Sequence, residues 1–224
     1  MVEIRTDRTE CVLCGDCCRQ GSPTLHRDDL EILVRGAISQ QHLITLRKGE
    51  PVYSPYEEKP VYLREERIKI REKPGTRECI FFDTQTSRCT IYPDRPAQCR
   101  AQACWDPDPA REVAARPCLT RRDLFRDVDL VLELLDEHDG RCSFGKLEGA
   151  FDRLHKSGGR NIDEVVDTLA FEDHFRSFVA ERLNLSEDVL ELFFGRSFSS
   201  MVGLFGFRVE KKTDGTRLIL PVEK

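Results

Sequence analysis

Ten cysteines, eight of them gathered in two groups, constrain this chain of 224 residues more than any other feature. The first group lies in the segment ECVLCGDCCR and consists of Cys11, Cys14, Cys17 and Cys18. The second group is spread over residues 79–104 and consists of Cys79, Cys89, Cys99 and Cys104. Thiols at this density form disulfides, hold a metal ion or an iron–sulfur cluster, or act as nucleophiles. The rest of the sequence decides among these chemistries.

The expected compartment favours metal binding over disulfides. The N-terminus, MVEIRTDRTE, is charged and lacks the apolar core of a signal peptide, and no apolar run has the length of a membrane span. We therefore expect a cytoplasmic protein that does not associate with membranes. In a reducing compartment, clustered thiols are more often metal ligands or redox centres than structural disulfides. The net charge of −5, with acidic and basic residues interspersed, argues against nucleic acid as a partner.

The spacing of the first group favours one loop wrapped around a metal centre. In Cys11-x2-Cys14-x2-Cys17, the short gaps let successive thiolates converge, and Gly15 lets the backbone curl between them. Structural zinc sites usually show two Cys-x2-Cys knuckles about 15–20 residues apart. The second group has gaps of nine, nine and four residues and contains no knuckle, so a zinc ribbon fits poorly.

The adjacent residues Cys17 and Cys18 raise a geometric question. Neighbouring side chains in an extended backbone diverge, so two such thiolates rarely serve one tetrahedral metal ion. We therefore expect the pair to be split, with one thiolate in the first loop and the other reaching a second centre or the second group. The eight thiolates can fill two four-coordinate centres, or one centre with spare thiols for redox or exchange chemistry.

The combined pattern resembles a known family. The segments CVLCGDCC and CIFFDTQTSRCTIYPDRPAQCRAQAC are similar to the CxxCxxCC cysteine-cluster family of zinc- or iron-chelating domains, and some flagellin lysine methylases look similar in this region. The resemblance covers about the first half of the chain and implies a metal site on the clustered cysteines. Those residues are Cys11, Cys14, Cys17, Cys18, Cys79, Cys89, Cys99 and Cys104. Cys118 and Cys142 lie outside the matching segments and receive no ligand role.

Three interpretations of the site stay open. The first is an iron–sulfur or iron centre that supports redox chemistry or electron transfer for a protein partner. The second is a zinc-stabilised structural or interaction domain without catalysis. The third is a metal-dependent protein-modifying enzyme. The sequence has no phosphate-binding loop, dinucleotide fingerprint or serine elbow, so no catalytic residue is named.

Residues near the cysteines are expected to have structural roles. Tyr92, Arg95 and Pro96 are expected to shape a loop, and Arg95 or Arg100 can also offset the charge of nearby thiolates. His26 is expected at the surface in the first turn of a short helix. His138, close to Cys142 in DEHDGRC, fits a polar turn that ends a helix at least as well as a metal pair.

Helices are predicted over residues 24–36, 39–49, 120–138, 161–183 and 186–195. Thr24 is expected to cap the first, and Thr120 with Asp123 forms a capping-box pattern at the start of the third. Short antiparallel strands are predicted from Ile68 and Ile70, from the run 80–82, and on both sides of Asp214-Gly215. The turn Pro74-Gly75 precedes a hairpin that carries Cys79 and Cys89. The core or an interface should contain Phe193, Phe194, Phe198, Phe205 and Phe207.

The predicted fold class is α+β. Residues 1–105 form a cysteine-rich, loop-dominated metal-binding module with short helices and a β-hairpin. Residues 106–224 form a mostly helical module that ends in a β-hairpin. The boundary is placed at the segment WDPDPAREVAARP, which is rich in proline and charge.

Overall fold

The structure is a computed structural model, and it describes residues 11–53, 60–211 and 217–222. In these ranges the α-helices are α1 (Asp16–Gln20), α2 (Leu30–Val34), α3 (Ala97–Ala101), α4 (Asp108–Ala114), α5 (Arg121–Leu124), α6 (Asp129–Arg141), α7 (Phe144–Lys156), α8 (Ile162–Leu183), α9 (Glu187–Phe194) and α10 (Phe198–Met201). Short 3-10 helices span Arg27–Asp29, Gln40–His42, Tyr92–Asp94 and Val202–Phe205. No helix in the described ranges is long and apolar enough to cross a membrane.

The strands are β1 (Leu43–Leu46), β2 (Pro51–Tyr53), β3 (Pro60–Tyr62), β4 (Arg67–Ile70), β5 (Phe82–Asp83), β6 (Arg88–Cys89), β7 (Phe207–Lys211) and β8 (Arg217–Pro221). They form two-stranded pairs, β1 with β4, β2 with β3, β5 with β6 and β7 with β8. The predicted α+β class is confirmed, as is the helical second half that ends in an antiparallel hairpin. The predicted turn at Asp214-Gly215 lies outside the described residues.

Contacts divide the chain into two compact units. Unit 1 comprises Met1–Ile44 and Arg67–Leu124, and unit 2 comprises Thr45–Glu66 and Phe125–Lys224. Unit 1 therefore contains all the clustered cysteines. The division into segments 1–105 and 106–224 stays a prediction from composition.

Three buried residues hold the centre of unit 1 together. Leu25, Ile68 and Leu119 are each fully buried, and their backbones are joined in a closed set of hydrogen bonds. Leu25 N donates to Ile68 O at 2.8 Å, Ile68 N to Leu119 O at 3.0 Å, and Leu119 N to Leu25 O at 2.8 Å. Burial of these apolar side chains stabilises the point where three distant chain segments meet.

The two helices predicted between the cysteine groups are shorter than expected. Thr24 is not a helix cap, because it forms a β-bridge with Lys69, and α2 begins only at Leu30 after a 3-10 turn. Of the helix predicted over 39–49, only Gln40–His42 is helical, as a 3-10 turn. The rest of that prediction is wrong, because Leu43–Leu46 form β1. The sequence Leu-Ile-Thr-Leu buries alternate side chains there, which is the period of a strand.

The predicted strands of unit 1 are present. Strand β4 buries Ile68 and Ile70, whereas Arg67 and Lys69 are only partly buried, as the alternation predicts. After the Pro74-Gly75 turn, Cys79 forms an antiparallel bridge with Glu72. The run 80–82 contributes only its last residue to a strand, because β5 begins at Phe82 and pairs with β6.

Unit 2 is built around a helical core. The core is formed by Cys142, Phe144, Leu147, Ala150, Phe151, Leu154, Val165, Leu169, Phe198, Met201, Val202, Phe207 and Ile219. The ring of Phe151 stacks on Phe205 at 4.6 Å between centroids and on Phe207 at 5.3 Å. The predicted burial of Phe193, Phe194, Phe198 and Phe207 is confirmed.

The helix predicted over 120–138 is two helices. Thr120 and Asp123 form the expected capping box at α5, in which Asp123 N donates to Thr120 Oγ1 at 3.2 Å and Thr120 N donates to Asp123 Oδ2 at 3.0 Å. The helical backbone then stops, and α6 begins only at Asp129. The segment between them contains Asp127, and aspartate favours turns and caps over helix interiors.

His138 lies inside α6 and not in a polar turn after it, so that prediction is wrong. Its side chain is fully buried, and Nε2 lies 3.6 Å from Oε1 of Glu172, which is also fully buried. Arg176 completes this part of unit 2 by donating to Gly195 O at 2.9 Å and to Glu172 Oε1 at 3.3 Å. Cys142 N donates to His138 O at 2.7 Å, so the two residues are linked through the backbone.

Candidate metal centre

The first cysteine group is positioned by a left-handed glycine and a short helix. Gly15 has φ +75° and lies just before α1, and Cys17 and Cys18 lie in α1 itself. An added Cβ at Gly15 would lie 2.3 Å from Cε2 of Phe82, so only glycine fits at this contact. The predicted curl of the backbone at Gly15 is confirmed.

The helical backbone changes the geometry of the adjacent pair. We expected the extended conformation for Cys17 and Cys18, and that premise is wrong. Successive residues of a helix project about 100° apart rather than to opposite sides, and the two thiols share a side-chain hydrogen bond. The assignment of the two thiolates to separate centres stays a prediction.

The hairpin of the second group is attached to this helix at two points. Cys79 N donates to Cys18 O at 2.8 Å. Phe82 lies against Gly15, and the guanidinium of Arg19 lies 4.8 Å from the Phe82 ring centroid. Phe82 is also the cross-strand partner of Cys89. The cysteines at 79 and 89 are therefore placed beside α1 by the backbone and by one aromatic ring.

Helix α3 brings in Cys99. Its first backbone amide, Ala97 N, donates to the buried carboxylate of Asp29 at 2.7 Å, and the same carboxylate accepts from His26 N at 2.9 Å. The residue before α3 is Pro96, which has no amide hydrogen to satisfy and so suits a helix start. Asp29 thus fixes the end of the helix that carries Cys99.

Arg95 has both of the roles considered for it. Its guanidinium stacks 3.5 Å from the Tyr92 ring centroid, and Nε donates to Tyr92 O at 2.9 Å, which shapes the loop before α3. Its positive charge also favours the thiolate forms of Cys17, Cys89 and Cys99.

Five thiols are close enough to influence one another electrostatically: Cys17, Cys18, Cys79, Cys89 and Cys99. The hydrogen bond from the Cys18 thiol lowers the pKa of Cys17 to about 6, and the same bond, followed by burial, raises the pKa of Cys18. Burial raises the pKa of Cys79 to about 11 and also raises those of Cys89 and Cys99. One thiolate is therefore favoured at neutral pH, and a metal that bound the others would release their protons.

The three remaining clustered cysteines have different surroundings. Cys11 and Cys104 are exposed, while Cys14 is partly buried and its carbonyl accepts a hydrogen bond from Arg19 at 3.0 Å. Among residues 11–53, 60–211 and 217–222, no three histidine, cysteine, aspartate or glutamate side chains are grouped closely enough to hold a metal ion. All ten cysteines are thiols rather than disulfides.

The residues fit a thiophilic metal by their chemistry. Soft thiolate ligands select zinc, Cu(I) or iron–sulfur clusters over hard cations such as magnesium. The five mutually interacting thiols, with Arg95 beside them, form such a donor set. Which of the eight clustered cysteines bind a metal stays a prediction.

Sequence reasoning misjudged His26 and overlooked Asp29. His26 is not solvated: its side chain is 1% exposed, and its backbone forms an antiparallel bridge with Cys118. Asp29 is fully buried and bonds two backbone amides. The sequence analysis gave Asp29 no role, because its contact with the distant amide of Ala97 is invisible in the local sequence.

The comparisons with known proteins agree with the cysteine pattern. A family model named CxxCxxCC, described as "Putative zinc- or iron-chelating domain", matches residues 10–119. The matched range includes both cysteine groups and also Cys118, which the sequence analysis had placed outside the matching segments. No curated protein and no solved structure matches the chain. Residues 10–119 of this chain therefore belong to the CxxCxxCC family of zinc- or iron-chelating domains.

Proposed function

We propose that the chain holds an iron–sulfur or iron centre on its clustered cysteines and supports redox chemistry or electron transfer for a protein partner. The full ligand set is Cys11, Cys14, Cys17, Cys18, Cys79, Cys89, Cys99 and Cys104. The observation that carries the proposal is the mutual electrostatic influence of five thiols, which come from α1, the bridge at residue 79, β6 and α3. The Cys11–Cys17 spacing supports iron–sulfur ligation in particular.

The protein residues have defined tasks in this proposal. When bound, the centre supplies one-electron redox chemistry at a potential set by net charge, hydrogen bonds to sulfur and solvent exposure. Arg95 contributes positive charge near Cys17, Cys89 and Cys99, which partly offsets the negative charge of the thiolates. The Phe82 ring packs against Gly15 and so holds the ligand loop against the segment that carries Cys79 and Cys89.

A protein partner is proposed because apolar side chains are exposed next to the cysteines. Val12 and Leu13 lie between Cys11 and Cys14 and are 57% and 37% exposed. Ile80, which follows Cys79, is also 37% exposed. Exposed apolar residues beside a redox centre suit brief docking of another protein, which brings two centres within electron-transfer range. We place this function in the cytoplasm, where clustered thiols stay reduced.

Anaerobic purification with iron, zinc and acid-labile sulfide measured per chain tests the proposal. We expect iron with sulfide and visible charge-transfer absorption in the native chain. Cys89→Ser should lower the metal content, whereas Cys142→Ala, a change at a thiol of unit 2, should leave it unchanged. Stoichiometric zinc in a colourless protein would instead establish the structural alternative, in which metal binding supplies folding free energy.

The same preparation tests the separation of Cys17 from Cys18. Cys17→Ser and Cys18→Ser should change different features of the spectrum or of the metal stoichiometry if the two thiolates serve separate centres. Identical losses in the two variants would assign both thiols to one centre.

A further inference from the structure

Arginines outnumber carboxylates in the segments that carry most of the clustered cysteines. Residues 11–20 and 86–104 contain seven of the eight clustered cysteines, together with four arginines, two aspartates and no lysine or glutamate. These segments therefore have an excess of two positive charges, within a chain whose net charge is −5. The part of the chain that carries these cysteines thus differs in sign from the chain as a whole.

Both aspartates of these segments already face arginines. Oδ1 of Asp16 lies 3.0 Å from Nη1 of Arg19, and Oδ1 of Asp94 lies 3.6 Å from Nη2 of Arg35. Their negative charges are therefore compensated within unit 1, and they leave the other arginines of the two segments in excess.

Arg88 and Arg95 form no ion pair with any carboxylate among the described residues. Arg88 is exposed and belongs to β6. Asp83, the residue opposite it in the β5–β6 pair, accepts hydrogen bonds from Gln85 N at 2.9 Å and from Thr86 Oγ1 at 2.6 Å. The two guanidinium groups can therefore pair with carboxylates of another molecule.

The same two arginines lie beside the cysteines. Arg88 precedes Cys89 in β6, and the hydroxyl of Ser87, in the turn just before it, accepts a hydrogen bond from α1 at 3.4 Å. The positive charge of Arg95 acts on the thiols of Cys17 and Cys89. A molecule that paired with these arginines would therefore lie close to the proposed metal centre.

Apolar side chains are exposed in the same segments. Tyr92 is 37% exposed, and the guanidinium of Arg95 lies 3.5 Å from the centroid of its ring. Tyrosine and arginine are among the side chains that contribute most to binding at protein interfaces. Val12, Leu13 and Ile80 add exposed aliphatic surface directly next to cysteines in the sequence.

We propose that an acidic electron-transfer protein docks on this surface, an inference that rests on the proposed redox function and specifies its partner. Carboxylates of the partner pair with the two arginines that have no carboxylate of their own, and its apolar side chains pack on the exposed tyrosine and aliphatic residues. The docking surface consists of Val12, Leu13, Ile80, Arg88, Tyr92 and Arg95.

Charge complementarity selects this partner. Opposite charges on two surfaces speed and orient their encounter, whereas like charges suppress association with wrong partners. An extended polyanion such as nucleic acid would also meet the acidic remainder of the chain, so the net charge of −5 disfavours it. A compact acidic protein can contact the docking surface alone.

Reduction of the centre by a protein donor measures the docking. The metal-loaded chain is mixed anaerobically with reduced flavodoxin, an acidic one-electron donor, and the loss of visible absorption is followed by stopped flow. We expect the second-order rate constant to fall by about tenfold as salt rises from about 0.01 M to about 1 M, because the Debye length shortens from about 30 Å to about 3 Å. A rate that stays constant or rises with salt would overturn the proposal.

Two matched variants locate the charge effect. Arg88→Gln removes one charge from the docking surface, and Arg160→Gln removes one from an exposed arginine of unit 2. Arg88→Gln should lower the rate about threefold at low salt and little at high salt, whereas Arg160→Gln should leave it nearly unchanged. Equal rates in the two variants would refute the assigned surface.

The apolar contribution is tested in the same way. Val12→Ser should lower the rate at both salt concentrations, because salt does not screen an apolar contact. Val222→Ser, at an exposed valine of unit 2, should have no effect. Equal rates in these two chains would likewise contradict the assigned surface.

Reduction by dithionite separates this inference from the proposed function. If dithionite bleaches the chain but flavodoxin shows no dependence on salt or on Arg88, the docking inference alone is wrong. A colourless zinc protein would overturn both the proposed function and its partner. Metal content and bleaching by dithionite should be the same in Arg88→Gln as in the unaltered chain, and if that variant loses its centre, the salt dependence of the unaltered chain decides.

Discussion

At the scale of single residues, Gly15 decides whether the two cysteine groups can meet. Its backbone is left-handed, and the Phe82 ring occupies the space that any side chain would need. The sequence predicted a flexible residue inside the Cys11–Cys17 loop. The second constraint, contact with an aromatic ring more than sixty positions away, could not be seen because it exists only in the folded chain.

Gly15→Ala should therefore destabilise unit 1 more than an ordinary glycine replacement. We expect a loss of about 2–4 kcal/mol, of which about 1 kcal/mol is left-handed strain and the rest is overpacking against Phe82. The matched control is Gly75→Ala, because Gly75 has φ +70° and nothing within 4 Å of an added Cβ. Urea unfolding monitored by fluorescence should show about 1 kcal/mol of loss in the control. Equal losses in the two variants would refute the role of the Phe82 contact.

Cys142 should make the stability of unit 2 fall at alkaline pH. Burial raises its pKa from 9.0 to about 12 in the folded chain, so the thiol ionises earlier in the unfolded chain. The contribution of the buried, neutral Cys142 thiol to the free energy of unfolding is fully present below pH 9. It is lost as the pH rises from 9 to 12. Between these limits the unaltered chain should lose up to about 1.4 kcal/mol per pH unit relative to Cys142→Ala.

The measurement is chemical unfolding, followed by far-ultraviolet circular dichroism, of both chains at several pH values from 7 to 10. The cavity left by the alanine lowers stability by the same amount at each pH, so only the difference in slope reports the thiol. Parallel pH dependences in the two chains would show that Cys142 does not contribute.

At the scale of elements, α3 depends on a carboxylate that comes from a different part of the chain. The helix has five residues and presents Cys99 on a segment too short to be stable alone. Asp29 bonds its first amide and at the same time holds the 3-10 turn at His26. The short helix is thus maintained by tertiary contact rather than by its own propensity.

Asp29→Ala should destabilise unit 1 by about 2–4 kcal/mol, because two backbone amides lose a charged acceptor in a buried position. Asp28→Ala is the control, since Asp28 is exposed and forms a surface ion pair with Arg116, and it should cost less than about 1 kcal/mol. Metal content per chain is the second readout. It should fall in Asp29→Ala because Cys99 loses its fixed position, and unchanged metal content would separate α3 from the metal site.

Elements with a strong local pattern were predictable, and those formed by distant contacts were not. Helices α8 and α9 and the pair β7–β8 agree closely with the predicted segments because their apolar periods and turn signals lie in the local sequence. Thr24 and the Leu43–Leu46 segment were assigned to helices, yet their backbones pair with a distant strand. Helix α7 was not predicted individually. Gly145 and Gly149 weaken its helical pattern, and its stability comes from the packing of Leu147 and Phe151.

At the scale of the whole molecule, the proposed ligands all belong to one compact unit. Unit 1 also contains Trp105, the single tryptophan of the chain, whereas most of the helical residues, in α6 to α9, belong to unit 2. Tryptophan fluorescence and helical circular dichroism therefore report on different units.

Removal of the metal should change the two signals unequally. A chelator under anaerobic conditions should shift the emission of Trp105, because metal binding stabilises the cysteine module, while most of the helical signal remains. Leu147→Ala, which leaves a cavity in the core of unit 2, should instead lower helical stability by about 2–5 kcal/mol without removing metal. Loss of the helical signal in step with the emission shift would contradict this separation.

The sequence by itself determined the family of residues 10–119, the α+β class and the two cysteine groups that a zinc- or iron-chelating domain contains. Cysteine spacing, apolar periodicity and turn residues are local properties, so they can be read from neighbouring positions. Only the tertiary structure decided that Gly15 lies against Phe82, that Asp29 holds α3, and that His26 is buried across from Cys118. Each of these contacts joins residues far apart in the chain, and the free energy that fixes it comes from burial of the whole core rather than from any local preference.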